Sequence, residues 1–147
     1  MKFVLDSSAI VPILHTEDQS ENALRFVELC QQAGIGLAVS PLIYCEVGNC
    51  IVQFSKKEKK NGQTFMNNLL GMHFESVPMT VELLSQAMSI AQKRGLTYYD
   101  AVHAATANTE NAPLITLDNE LLSRVKNSLD LEDAKEYVEM MMRNAKD

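Results

Sequence analysis

Four acidic residues of this 147-residue chain lie among apolar or small neighbours instead of among other charges. Asp6 follows Phe-Val-Leu and Asp118 follows Leu-Ile-Thr-Leu, so two apolar runs each end in a carboxylate. Glu46 lies within Leu-Ile-Tyr-Cys-Glu-Val-Gly, and Asp100 lies within Tyr-Tyr-Asp-Ala-Val. Each of them alone has a structural explanation, since acids cap helices and stabilise their first turns. Together, in such surroundings, they point to a shared chemical role.

Carboxylates that are brought within about 4 to 6 Å of one another repel and raise each other's pKa values. Such a cluster stays ionised only with compensating cations, and the four stretches contain no lysine or arginine. Hard divalent ions with oxygen ligands, Mg²⁺ or Mn²⁺, are the simplest compensation. Water bound to such an ion is suited to hydrolysis, because the ion lowers the pKa of the water and stabilises charge on a phosphate. The acids therefore predict a Mg²⁺ or Mn²⁺ centre.

Short apolar runs predict the strands that would position these acids. The predicted strands cover residues 3–5, 36–39, 74–77 and 114–116. Apolar residues at helical spacing occupy the segments between them. Because strands alternate with helices, we expect an α/β fold with a parallel sheet that is covered on both faces. Asp6 would then lie at the carboxyl end of a strand, where open α/β sheets bind ligands.

Capping residues predict where the helices begin and end. Thr16-Glu17-Asp18 predicts the start of a helix that Gly34 ends, and Ser40-Pro41 predicts an N-cap followed by the first helical residue. Asn61-Gly62 is expected to end that next helix. Other helices are predicted over 9–14, over 64–70, from Thr80 to Gly95, over 99–108, after Asp118 and over 130–146. Residues 128–131 are interpreted as a poor strand.

The composition, 46% apolar and 22% charged, is typical of one globular domain, which we expect to span residues 1–147. A net charge of −6 is unusual for a nucleic-acid-binding protein, whose surface is typically basic. The exception is a protein with several acids concentrated in one metal site, because bound cations cancel part of the charge. Cys30, Cys45 and Cys50 match no zinc signature and are predicted to be reduced thiols. The sequence shows no signal peptide and no apolar run of about 20 residues, so we expect a cytoplasmic protein without a membrane span.

Four segments carry a resemblance to a known family. They are Val-Leu-Asp-Ser-Ser-Ala-Ile from residue 4, Leu-Ile-Tyr-Cys-Glu-Val from 42, Leu-Thr-Tyr-Tyr-Asp-Ala-Val-His-Ala-Ala-Thr-Ala from 96, and Leu-Ile-Thr-Leu-Asp-Asn-Glu-Leu from 114. Over residues 1–128 the chain resembles the PIN domain, and within that superfamily the VapC-type toxins of toxin–antitoxin pairs. The resemblance implies a three-layer α/β/α, Rossmann-like fold. Its short parallel sheet would have four to five strands, with the first and fourth adjacent.

The resemblance also implies roles for individual residues. Asp6, Glu46, Asp100 and Asp118 would be the catalytic acids that bind one or two Mg²⁺ or Mn²⁺ ions. The hydroxyls of Ser8 and Thr116 would support these acids by orienting their carboxylates or a metal-bound water. The implied activity is endoribonucleolytic cleavage of RNA. The implied partners are a cognate antitoxin and a second copy of the chain in a homodimer.

Three alternatives follow from the same residues. A catalytically silent PIN-fold module would bind RNA or protein, and a housekeeping PIN nuclease would share the chemistry but act in RNA maturation. An aspartyl-nucleophile phosphatase also begins with a strand and an aspartate, but it needs a second acid where this chain has Ser8. His103 lies three residues after Asp100, and we do not expect it to bind the metal, because hard cations rarely recruit imidazole. The lysine-rich run 56–60 fits a solvated helix end or a phosphate-binding patch.

Overall fold

A computed structural model describes residues 1–145 and contains a five-stranded parallel sheet. The strands are β1 (Lys2–Leu5), β2 (Gly36–Val39), β3 (Glu75–Ser76), β4 (Leu114–Ile115) and β5 (Ser128–Leu129). Their order across the sheet is β3-β2-β1-β4-β5. The predicted α/β class is therefore confirmed, and so is the adjacency of the first and fourth strands.

The helices connect these strands and cover the sheet. They are α1 (Ser7–Leu14), α2 (Ser20–Ala33), α3 (Leu42–Glu58), α4 (Gly62–Gly71), α5 (Val81–Arg94), α6 (Tyr98–Thr109), α7 (Asn119–Arg124) and α8 (Leu131–Asn144). The end predicted for the last helix, at residue 146, lies outside the described residues. No helix within residues 1–145 is both long and apolar enough to cross a membrane.

Alternation along β1 separates the core into two parts. Phe3 and Leu5 point to one face of the sheet and pack with α1, α2, α3 and α8, whereas Val4 points to the other face and packs with α5 and α6. Successive residues of a strand project to opposite faces, so a fully apolar strand needs a helix layer on each side. The three-layer arrangement follows from this pattern.

Most predicted caps are confirmed. Gly34 and Gly95 end α2 and α5 with φ values of 66° and 63°, in the left-handed region that glycine adopts without strain. The side chain of Thr80 accepts a hydrogen bond from the backbone N–H of Leu83 over 3.1 Å, as expected for an N-cap.

Two predicted helix ends are wrong. Thr16-Glu17-Asp18 does not open α2, which begins at Ser20; the Ser20 hydroxyl instead accepts from the N–H of Glu17 and closes a turn. Helix α3 ends before residues 61–62, because Lys59 adopts a left-handed conformation, and Asn61 caps α4 instead. Asparagine stabilises either a turn or a helix start, so the residue type did not distinguish the two.

The start of α3 and the interpretation of 128–131 also need correction. The N-cap is Pro41 and not Ser40, although the Ser40 hydroxyl still accepts from the N–H of Leu42. Ser128 and Leu129 form β5, which pairs with β4. The backbone bond from Thr116 N–H to the carbonyl of Leu129, 3.1 Å, shows why this short edge strand forms. Pairing with an existing strand outweighs weak β propensity.

The three cysteines are free thiols. Cys30 is buried in the core, Cys50 is half-buried and Cys45 is exposed. Burial raises the pKa of the Cys30 thiol to about 12, so it stays protonated at neutral pH.

Candidate active site

Strands β1 and β4 end side by side, and this edge of the sheet holds Asp6. The backbone N–H of Asp6 donates to the carbonyl of Ile115 over 3.2 Å. The carboxylate is 4% exposed; its Oδ1 accepts from the Ser8 hydroxyl at 2.6 Å and from the N–H of Ala9 at 3.2 Å. Its Oδ2 accepts from the Thr116 hydroxyl at 2.6 Å. Asp6 is thus both the N-cap of α1 and a buried carboxylate held by two hydroxyls.

Burial raises the pKa of Asp6 above its ordinary value, because a carboxylate loses hydration in the interior. The bonds from Ser8 and Thr116, the nearby His103 and the bond from the N–H of Ala9 each lower the pKa, but burial dominates. This carboxylate therefore has an environment in which an external cation would stabilise its charge.

Asp118 is linked to Asp6 through the hydroxyl of Thr116. Its backbone N–H donates to Oγ1 of Thr116 over 3.0 Å, while its own Oδ1 caps α7 by accepting from the N–H groups of Glu120 at 2.8 Å and Leu121 at 3.2 Å. Thr116 thus contacts the carboxylate of one acid and the backbone of the other. The sequence expectation that the acids after β1 and β4 lie at one edge agrees with this arrangement.

Asp100 occupies the first turn of α6, where its backbone N–H donates to the side chain of Thr97 over 3.2 Å. Burial is the main reason that its pKa is raised, and the charges of Asp118 and Glu46 raise it further. Thr97 and His103 act in the opposite direction. Two of the other predicted site acids thus contribute to the raised pKa of Asp100.

Glu46 reaches this region from α3 and contacts a residue to which the sequence analysis gave no role. Its Oε1 lies 2.5 Å from Nε2 of His103, which is 1% exposed. His103 lies on α6 three residues after Asp100, so the two share a helix face. The spacing of His103 from Asp100 is visible in the sequence, but the contact with Glu46 is not, because it joins two helices that are distant in sequence.

The chemical type of the four acids fits a hard divalent ion, but their side chains are not arranged around a common point. Within the described residues, no three His, Cys, Asp or Glu side chains form a group that could hold a metal ion as they stand. All four acids nevertheless offer carboxylate oxygens, and no ion pair in residues 1–145 joins them to a lysine or arginine. Binding an ion would therefore require some of these side chains to turn towards it.

The model of a known family, the PIN domain, matches residues 3–127 of the chain. The chain belongs to the PIN domain family. A PIN-domain relative from Pyrobaculum aerophilum, named Ribonuclease VapC3, is 31% identical over 128 residues, which are 84% of this chain and 95% of that protein.

Solved structures of PIN-domain proteins share the fold. PAE2754 from Pyrobaculum aerophilum superposes with a TM-score of 0.73 at 22% identity, over 95% of this chain and 99% of that one. The VapBC2 structure from Rickettsia felis, bound to a DNA fragment from its promoter, has a TM-score of 0.67 at 20% identity, over 88% and 97% of the two chains. The three-layer architecture with its parallel sheet is therefore that of the family.

The lysine-rich run 56–60 lies at the far end of α3. Lys56 and Lys57 occupy the last turn of that helix, where cations stabilise the helix dipole. Glu58 pairs with Lys60 and with His15. These contacts favour the interpretation as a solvated helix end.

Proposed function

We propose that this PIN-domain protein is a Mg²⁺- or Mn²⁺-dependent endoribonuclease that acts as the toxin of a toxin–antitoxin pair. The observation that carries the proposal is Asp6, a buried carboxylate at the junction of β1 and β4 with only neutral hydrogen-bond donors. The relative named Ribonuclease VapC3, which matches most of the chain, supports hydrolysis of RNA phosphodiester bonds as the reaction. We expect the enzyme to act in the cytoplasm.

In this proposal Asp6, Glu46, Asp100 and Asp118 hold the divalent ion. When bound, the ion would supply an activated water and stabilise negative charge on the phosphate. The other residues have roles that do not depend on the number of ions. Ser8 and Thr116 fix both oxygens of Asp6 without neutralising its charge, since hydroxyls donate hydrogen bonds but carry no charge.

The proposed partners are a cognate antitoxin and a second copy of the chain. Solved structures with this fold include the toxin–antitoxin complex from Klebsiella pneumoniae, with a TM-score of 0.66 at 17% identity. An antitoxin arginine placed against the acids would silence the site, because guanidinium pairs with carboxylates through two hydrogen bonds. The homodimer remains an expectation from the family resemblance.

One observation favours a second candidate function. Because no three metal-binding side chains among residues 1–145 are arranged to hold an ion as they stand, a catalytically silent PIN-fold module that binds RNA or protein has some support. Such a module needs no tight divalent site. A housekeeping PIN nuclease would share the chemistry proposed here and differ only in its RNA.

The test is to incubate the purified protein with a defined RNA pool, with Mn²⁺ or with EDTA, and to map the cut ends. We expect cleavage with Mn²⁺ only, and none with Asp6→Asn, whose fold is checked by circular dichroism. Cleavage by Asp6→Asn in EDTA would overturn the metal-dependent mechanism, and binding of RNA without cleavage or Mn²⁺ uptake would favour the silent module. Protection from growth arrest by a small reading frame immediately upstream would distinguish a toxin from a housekeeping nuclease.

A further inference from the structure

His103 is a buried polar side chain at the base of the acid cluster. The residue is 1% exposed, and its Nε2 donates to Oε1 of Glu46 over 2.5 Å. The two residues are 57 positions apart and belong to α6 and α3, so the bond joins two helices on which acids of the site lie. The Glu46 side chain is 25% exposed, and His103 therefore anchors it from the inner side.

The imidazole is a neighbour of two further acids as well. Burial raises the pKa values of Asp6 and Asp100, and the proximity of His103 lowers both. His103 follows Asp100 by nearly one helical turn, so the two side chains lie on the same face of α6.

Packing alone does not account for a histidine here. The other ring nitrogen, Nδ1, is buried and has no hydrogen-bond partner within residues 1–145. A buried polar atom without a partner is destabilising, and an apolar side chain of similar volume would avoid that cost. The flanking residues Ala101, Val102, Ala104 and Ala105 are all buried, so His103 has apolar neighbours on both sides along α6. The contact through Nε2 is the feature that distinguishes histidine from an apolar residue.

We propose that His103 is a positioning residue that holds the Glu46 carboxylate towards the other acids, so that the affinity of the site for a divalent ion depends on the Nε2 donor. This inference rests on the proposed function. A free glutamate side chain samples several rotamers, and a fixed donor reduces that freedom before the ion arrives. Removing hydrogen-bond partners of metal-binding side chains typically lowers metal affinity or activity by about 10- to 100-fold.

The test compares His103→Gln, His103→Asn and His103→Leu by titration calorimetry with Mn²⁺. The amide nitrogen of glutamine can reach the position of the histidine Nε2. The side chain of asparagine is one methylene shorter, so its amide nitrogen reaches only the position of Nδ1. We expect His103→Gln to retain most of the affinity, and both His103→Asn and His103→Leu to lose about 10-fold or more. Both amides are polar, so a loss of Mn²⁺ affinity confined to folded His103→Asn is assigned to the position of the donor.

A matched control exists at the other end of α3, where His15 pairs with Glu58 away from the acids. His15→Leu removes a contact of the same kind and should leave Mn²⁺ affinity unchanged. The inference is overturned if the wild-type protein binds Mn²⁺ and cleaves RNA while folded His103→Asn and His103→Gln bind Mn²⁺ equally well. If the wild-type protein neither binds Mn²⁺ nor cleaves RNA, the proposed function itself fails. Should His103→Leu not fold, the comparison of glutamine with asparagine still decides.

Discussion

The hydroxyl of Thr116 donates a 2.6 Å hydrogen bond to Oδ2 of Asp6, across 110 positions of sequence. This bond ties the end of β4 to the end of β1. Ser8 completes the arrangement, since its hydroxyl bonds Oδ1 of Asp6 and lies 3.2 Å from the Thr116 oxygen. Both oxygens of the carboxylate are therefore oriented by neutral donors, and the full negative charge remains available to a cation.

Replacing Thr116 with valine should weaken both stability and activity. The change keeps the shape but removes a hydrogen bond to a buried carboxylate, which is worth about 1.5 to 3 kcal/mol. We expect the free energy of unfolding, measured in urea, to fall by about that amount, and kcat/KM for RNA cleavage to fall by about 10- to 100-fold. Thr116→Ser keeps the hydroxyl and is the control. Equal behaviour of the valine and serine variants would show that the bond has no role.

Asp6→Asn should stabilise the metal-free protein at neutral pH. Burial raises the folded-state pKa of Asp6 above the ordinary aspartate value of 3.8, so the native protein binds more protons than the unfolded chain between those two pKa values. Stability therefore falls as pH rises through that window, and asparagine removes this loss. We expect Tm in EDTA to be higher for Asp6→Asn at pH 7.5, and the difference to disappear near pH 4, in thermal unfolding at both values.

Adding Mn²⁺ should make the wild-type protein more stable than Asp6→Asn. An ion that binds only the folded state raises stability by RT ln(1 + [L]/Kd), about 2.7 kcal/mol at 100 times Kd. The wild-type protein should gain this stabilisation and Asp6→Asn should not. Thermal unfolding over a Mn²⁺ series measures the effect. Identical Tm increases in both proteins would mean that Asp6 does not bind the ion.

Arg124 should contribute to stability without affecting the chemistry. Its guanidinium donates to the carbonyls of Gly95 and Arg94 and pairs with Glu120, so it joins the end of α7 to the end of α5. Arg124→Ala is expected to cost about 1 kcal/mol, since the contacts are exposed, which corresponds to a Tm decrease of about 2 to 4 °C in a chain of this size. Lys126→Ala, at an exposed neighbouring position, should change Tm little. A loss of Mn²⁺ affinity in Arg124→Ala would contradict this assignment.

Replacing Gly34 and Gly71 with alanine should have different effects on the free energy of unfolding. Gly34 has φ = 66° with open space around it, so Gly34→Ala suffers only from backbone strain, about 1 kcal/mol. Gly71 is the last residue of α4, and an added Cβ there would also meet nothing within 4 Å. Gly71→Ala should therefore be neutral or gain up to about 1 kcal/mol from the reduced entropy of the unfolded chain. Urea denaturation of both variants checks the difference in sign.

The sequence alone determined the class of fold and predicted the four acids of the site. Buried parallel strands are continuous apolar runs, and residues such as Gly34, Thr80 and Gly95 fix helix ends through their own backbone and side-chain preferences, so local sequence carries this information. Asp6 stood out because a carboxylate directly after an apolar strand is unusual wherever it occurs.

The tertiary structure decided what depends on partners distant in sequence. Ser128 and Leu129 form β5 because β4 supplies the hydrogen bonds, and no local propensity encodes that. His103 meets Glu46 only because α3 and α6 come together beside the sheet, and the spacing from Asp100 gives no sign of that contact. Local preferences are properties of a few neighbouring residues, whereas the bonds around Asp6, Thr116 and His103 form between helices and strands that only folding brings together.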